Sequence, residues 1–220
     1  MISHATVHEK TLDEIKKKLE TQISEFSQIA YIEAVLSRQE ITFDIRKWAY
    51  TKLSELNEKK NYFEKAARIL LNRATIEVTF RDRIATFLKA GELFAKAARM
   101  EESVQTFMKA YAESNSREKE AIKQKMANVI KQCANDAEKS GKKRSVIPYY
   151  QKLLELSIPE SERKQIRDKL IATYKALGNF SEAKSLEMGL KGQQVKEQPT
   201  ESLDKRTRAQ TDNELGIEIF

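Results

Sequence analysis

The chain has 220 residues, 40 basic against 33 acidic side chains for a formal charge of +7, 40% hydrophobic residues, and only 6 glycines and 3 prolines. That length suits one globular domain or one short solenoid, and the hydrophobic content excludes general disorder. A single cysteine, Cys133, excludes an intrachain disulfide framework and any multi-cysteine metal site.

Residues 1–10 (MISHATVHEK) hold no signal-like apolar core and no helical period, and are expected to be a flexible N-terminus. Thr11 and Glu14 have the spacing of a capping box, a hydroxyl that accepts a backbone N–H and a carboxylate that reaches back. Ile15, Leu19, Ile23, Phe26, Ala30 and Ala34 then follow helical spacing, broadened by Ile29, Ile32, Val35 and Leu36. One long helix to about Arg38 is expected, acting as a cap. After residues 39–42 a second helix is expected over Phe43 to Lys59. Past Asn61 a third runs from Tyr62 to Arg73 through Phe63, Ala66, Ala67, Leu70 and Leu71. Trp48, beside Ala49 and Leu53, reads either as a core residue or as an exposed anchor for a partner.

Ile84 to Tyr111 reads as two amphipathic helices around a tight turn. Phe87, Gly91, Phe94 and Ala98 mark one face of the first, and Val104, Phe107 and Tyr111 the facing side of the second. Ser114 and Ser116 are candidate N-caps of a long helix carrying Ile122, Met126, Ile130, Cys133 and Ala137. That helix stops at Ser140-Gly141, where glycine suits a left-handed C-cap. Its partner spans Ser145 to Leu156, with Pro148 expected in the first turn, where a missing N–H costs little. Pro159 is expected at the first position of the next helix. Leu170, Ile171 and Tyr174, followed by LGNFSEA at residues 177–183, form the last pair.

A helix pair this short cannot bury its apolar stripe alone and must stack on copies of itself. The small residue early in each second helix recurs at Ala66, Ser103, Val146 and Ala183, spaced by 37, 43 and 37. Leu53, Asn61, Tyr62, Glu64, Lys65, Ala66 and Leu70 resemble a tetratricopeptide (TPR) repeat, as do Phe87, Gly91, Phe94, Ser103, Phe107 and Ala110, and LGNFSEA resembles that family's internal turn. The resemblance covers roughly Trp48 to Leu190. The family period is about 34 residues, so these repeats are longer. In that irregular length they are similar to the soluble NSF attachment proteins, through AGELFAKAA followed by EESVQTFMKA, and to the helical halves of proteasome-lid subunits.

The resemblance implies an all-α, right-handed α-solenoid of about nine helices in TPR-like pairs, with a long N-terminal capping helix. Its expected bounds are residues 11–190, followed by a flexible C-terminal tail at 191–220. It also implies a concave surface lined by the first helix of each pair, where such folds take a peptide or partner helix. Ala85, Leu88, Glu92, Ala95 and Lys96 fall there in one repeat, Asn128, Lys131, Asn135, Glu138 and Lys139 in the next, and Gln165, Asp168, Ala172 and Lys175 in the last. The candidate groove is thus Leu88, Glu92, Lys96, Lys131, Asn135, Glu138, Asp168 and Lys175. Lys131 and Asn135 resemble half of the carboxylate clamp of chaperone-binding relatives. The following repeat offers Lys169 where that clamp needs an asparagine, so a solvated helix face is the plainer reading.

Lys139 to Arg144 (KSGKKR) gathers four basic residues around one turn, and nucleic acid is the alternative partner that such a cluster raises. The tail ends in ELGIEIF, and Ile217, Ile219 and Phe220 are candidate docking residues on a polar tether. No Walker, HExxH or GxSxG pattern appears. His4 and His8 lack a third ligand nearby, so no enzyme, cofactor or metal is expected. The longest apolar-rich run, residues 29–36, contains Glu33 and cannot span a bilayer. The expectation is a cytoplasmic, non-catalytic adaptor or scaffold that binds a protein or peptide. Its oligomeric state is not readable.

Overall fold

In a computed structural model, residues 7–194 are described, with side chains as far as residue 188; the tail candidates Ile217, Ile219 and Phe220 lie outside the described residues, as does His4. Ten α-helices and no strand occur among the described residues: α1 (Leu12–Glu20), α2 (Glu25–Leu36), α3 (Phe43–Lys59), α4 (Phe63–Ala74), α5 (Phe80–Lys96), α6 (Met100–Glu113), α7 (Ser116–Lys139), α8 (Lys143–Glu155), α9 (Glu160–Ala176) and α10 (Phe180–Gln194). The chain divides into two compact units, residues 1–170 and residues 171–220.

The expected long capping helix is two helices, which raises the count from nine to ten. The Ser24 hydroxyl accepts a hydrogen bond from the Ser27 N–H at 3.1 Å, and the Ser27 hydroxyl oxygen accepts one from the Ser24 N–H at 3.3 Å. This capping box restarts the helix after a break at residues 21–24. Ile23 and Phe26, read as part of a buried stripe, are therefore exposed, whereas Ile15, Leu19, Ile29, Ile32 and Val35 are buried. These five form a core with Tyr31, Ile45, Ala49, Leu53, Leu56 and Ile69, and Trp48 lies half-buried against it. The Thr11–Glu14 capping box is present, and Arg38 donates to the Glu9 carbonyl at 2.5 Å.

From α3 onward the chain repeats one device. At the end of each first helix a residue with positive φ turns the chain back: Asn61 (60°), Ala98 (58°), Gly141 (69°) and Gly178 (78°). At each of these turns the residue after it donates back to the helix. Tyr62 reaches the Asn57 carbonyl at 2.9 Å, Arg99 reaches Phe94 at 2.9 Å, Lys142 reaches Ala137 at 3.3 Å and Asn179 reaches Tyr174 at 2.9 Å. These are Schellman closures, which occupy helix-end carbonyls that would otherwise be orphaned. Ala98 is thus a turn residue rather than part of a helix face.

Within the first unit, packing follows chain order from α2 to α8, and α5 also meets α7 while α6 meets α8. First helices therefore line up on one side and second helices on the other, the arrangement of an all-α solenoid. Within a pair the small residues meet across the two helices. Ser54 donates to the Ala66 carbonyl at 3.1 Å, and one repeat later Ser103 donates to the Gly91 carbonyl at 2.9 Å, so the hydroxyl changes sides while the contact stays. Ala66, Ser103, Val146 and Ala183 are all buried. The second unit contains the end of α9, its turn and α10, where Lys175 pairs with Glu187 at 2.7 Å.

Three local expectations are corrected. The N-cap of α7 is Asn115, lying between the two serines proposed, and it accepts from Arg117 and Glu118. Pro148 lies beyond the first turn of α8, at the sixth position. Pro159 precedes α9, and its carbonyl accepts from Arg163 at 2.9 Å. The longer middle repeat is explained by α7, which has 24 residues where α3, α5 and α9 have 17 each. No helix among the described residues is long and apolar enough to cross a membrane.

Candidate functional site

Two rows of ion pairs cross the first unit. Among first helices, Lys47 of α3 reaches Asp82 of α5 at 3.1 Å, and Lys89 and Lys96 of α5 both reach Glu58 of α3 at 3.0 Å. Lys125 of α7 meets Glu92 of α5 at 2.7 Å, Lys131 of α7 meets Glu162 of α9 at 2.5 Å, and Lys169 of α9 meets Glu138 of α7 at 3.0 Å. Among second helices, Lys65 of α4 meets Glu33 of α2 at 2.9 Å and Lys152 of α8 meets Glu101 of α6 at 3.1 Å. Partly exposed pairs of this kind contribute about 0–1 kcal/mol each, so they fix register more than they stabilise.

Half of the eight candidate groove residues are thus engaged with neighbouring first helices. Glu92, Lys96, Lys131 and Glu138 each hold a neighbouring first helix, and Glu138 also accepts from the buried Tyr150 hydroxyl. Burial pushes the Glu138 carboxyl up, but the hydrogen bonds from Tyr150 and Lys169 outweigh it and hold the group below the usual carboxylate range. Burial likewise drives Tyr150 well above the ordinary phenol value. Leu88 is half-buried, Asn135 and Asp168 are exposed, and Lys175 belongs to the second unit. Lys131, paired with Glu162, is half of the clamp-like pair and is already neutralised by the protein itself.

The structure gathers two of the residues placed on the first-helix surface, Asn128 and Lys131, at a cavity of about 490 Å³. Met108 of α6, Met126 and Ala127 of α7, and Leu156, Ile158 and Pro159 of the α8–α9 linker supply its apolar wall. Arg163 donates to the Leu154 carbonyl at 2.6 Å and to that of Leu156 at 3.0 Å, which fixes the linker. An apolar cavity with a few convergent polar groups is the usual form of a recognition pocket. Leu88, Glu92, Lys96, Asn135, Glu138, Asp168 and Lys175 are not among its lining residues.

Two features went unread in the sequence. Glu77, in the α4–α5 linker, is a buried carboxylate with Arg73 at 2.8 Å on one oxygen and Lys47 at 2.9 Å from the other. It ties the linker to α4 and α3. The i,i+4 spacing from Arg73 was a visible signal, though Glu77 stands between Ile76 and Val78 in a stretch with no helical period. Ile158 was equally silent, because a connection carries no periodicity to mark it, and Leu156, read as the end of the helix, is its C-cap. Cys133, placed on the apolar face, is half-buried, and burial pushes its thiol up to about 11.

No family profile matches the chain, and no curated protein does. Solved structures that resemble it include a Podosopora anserina protein described as a kinesin light chain with nearly identical TPR-like repeats, at 12% identity, 86% of this chain, 95% of that one and a TM-score of 0.37. A second is BtubC (BKLC) from P. vanneervenii, at 14% identity, 81% and 75% coverage and a TM-score of 0.33. The helix pairs resemble TPR-like repeats. The repeat itself rests on the four left-handed turns and the paired packing of this chain.

Proposed function

We propose that this protein is a non-catalytic, cytoplasmic adaptor or scaffold whose repeat domain, residues 11–190, binds a segment of a partner protein along its first helices. The observation that supports this most directly is the cavity between α6, α7 and the α8–α9 linker. It offers methionine and aliphatic side chains for a partner's apolar anchor and Asn128 as a polar edge. Unbranched, polarisable methionines such as Met108 and Met126 suit a surface that adapts to what enters. Leu88, Glu92, Lys96, Asn135, Glu138 and Asp168 are in this reading the further groove residues of the first helices, Lys175 is a candidate of the second unit taken by itself, and the tail residues Ile217, Ile219 and Phe220 are a separate docking element.

The test is affinity purification of the tagged chain from its native cell, in parallel with Ala127→Arg, which fills the cavity from a half-buried position without removing a core side chain. Loss of a recovered partner from the variant, at unchanged thermal stability, is the expected result. A partner set indifferent to the arginine would remove the proposal. Recovery of nucleic acid in salt-sensitive, nuclease-sensitive fashion would replace it with the alternative.

A further inference from the structure

The edge of the stack where the first helices turn into the second carries a charge pattern that opposes its own helix. Three of the four second helices place acid in the first turn: Glu64 in α4, Glu101 and Glu102 in α6, and Glu182 in α10. Negative charge there is favoured by the orphan N–H groups and the helix dipole. In α8 no first-turn residue is acidic, and Arg144 stands where the preceding repeats have Glu64 and Glu101. Lys142 and Lys143 precede it and Lys139 closes α7, all four exposed. None of the four has a carboxylate within 4.0 Å among the described residues. A local rule broken without internal compensation marks a place where something outside the fold uses the charge.

Lys142, alone of the four, lines a cavity of about 450 Å³ between the turns of the second and third repeats, and Lys143 and Arg144 follow it in the chain. Ala97 and Ala98 come from one turn, Ala137, Ser140 and Lys142 from the next. A second cavity, of about 630 Å³, lies between the first and second turns and adjoins it through Phe63, Lys96 and Ala97; Glu64 stands on its wall with Lys65 and Arg68. The one carboxylate on the wall of the 450 Å³ cavity, Asp136, accepts from Gln132 at 3.0 Å. Of its rings, Tyr149 is buried and donates to the Ala95 carbonyl, and Phe63 is half-buried with the Lys96 ammonium 5.6 Å from its centroid. Base stacking needs open ring faces, and the half-exposed Tyr62 on the 630 Å³ cavity is a small platform for it; alanine methyls beside exposed lysine and arginine side chains suit a carboxylate-bearing peptide.

We infer that this edge docks an acidic, extended segment of a partner protein, which seats an apolar side chain between Ala98 and Ala137 and lays its carboxylates along Lys142, Lys143 and Arg144. The surface shares no lining residue with the α7 cavity, and Lys96 is the one candidate groove residue that lines it.

The experiment pans random peptides displayed on phage against the full chain. Enriched peptides are then synthesised with a fluorophore and titrated by anisotropy against the wild type, the Lys142→Glu/Lys143→Glu/Arg144→Glu variant, and Ala127→Arg. Enrichment of Asp- and Glu-rich peptides around an apolar residue is expected, with affinity falling about tenfold or more in the triple variant, unchanged in Ala127→Arg, and weakening with salt. The triple variant places acid at a helix N-terminus and should melt no lower than wild type, so lost binding is not lost folding. Failure to enrich any peptide, enrichment without an acidic excess, or equal affinity for the triple variant overturns the inference. So does displacement of the peptide by a single-stranded RNA or DNA oligonucleotide that binds the chain more tightly, which would assign the basic turn to nucleic acid.

Discussion

Ala98 holds a left-handed conformation that the later repeats give to Gly141 and Gly178 and the first gives to Asn61. The alanine Cβ meets the neighbouring carbonyl there at a cost of about 1 kcal/mol, which glycine avoids. Ala98→Gly is therefore expected to stabilise only slightly, by at most about 0.5 kcal/mol, because the larger unfolded-state entropy of glycine offsets most of the gain; a clearly lowered denaturant midpoint would show that the turn is held by contacts of the methyl. Gly91 is the opposite case. A Cβ there would lie 2.8 and 2.9 Å from ring atoms of Phe107, which is fully buried and cannot give way. Gly91→Ala should destabilise by about 1–3 kcal/mol and Gly91→Leu at or above the top of that range, read by thermal unfolding. The requirement for a small residue at Gly91 was legible in the sequence, because the spacing set Gly91 and Phe107 on facing sides of the pair. The left-handed Ala98 was not, since alanine is an ordinary helix residue and only the 37-residue offset from Asn61 betrays its role.

At the level of helices, polar side chains set how one repeat sits on the next. Burial pushes the Glu58 carboxyl up, but hydrogen bonds from Lys96 and Lys89, with their charges, outweigh it and hold the group below its ordinary 4.5. A depressed folded-state value means that this stabilisation is present above pH 4.5 and is lost as pH falls through the folded value. Glu58→Gln should accordingly melt lower than wild type at neutral pH, by about 0.5–1 kcal/mol, and the two should converge near pH 3. A constant gap across that range would mean that the glutamate acts by shape rather than charge. Helix existence was readable wherever one apolar stripe ran between clear stops, and α3 begins and ends as expected at Phe43 and Lys59. The break between α1 and α2 escaped because Ile23 and Phe26 happen to continue the spacing of Ile15 and Leu19, while the Ser24–Ser27 box that ends the run is built from two residues that also occur inside helices. The ion pairs escaped for a different reason: their partners stand about one repeat apart in a sequence where charge is everywhere.

Across the whole molecule, stability in a single-file stack is shared between neighbours and is greatest where a helix has most of them. α5 packs on α4, α6 and α7 and buries Leu93 and Phe94, whereas α1 rests chiefly on α2 and the core beneath it. Amide exchange should be slowest in α4 to α6 and fastest in α1; uniform protection along the first unit would instead describe one all-or-none domain. The repeat and its small-residue contacts were visible at this scale, but the α7 cavity was not, because it depends on how far one helix outruns its neighbours. At 1.5 Å per residue α7 is about 36 Å long against about 26 Å for α5, and its early turns supply Glu120, Lys123 and Gln124 to the rim. Seven residues are close to two full turns, so removing residues 116–122 would rotate the remaining helix by only about 20° and leave its buried face aimed as before. Helix length thus works as a dial that is nearly blind to register: the ledge beside the cavity could be lengthened or trimmed over generations, with Ile122 the one buried side chain in the stretch, while the turns that join the helices stayed closed.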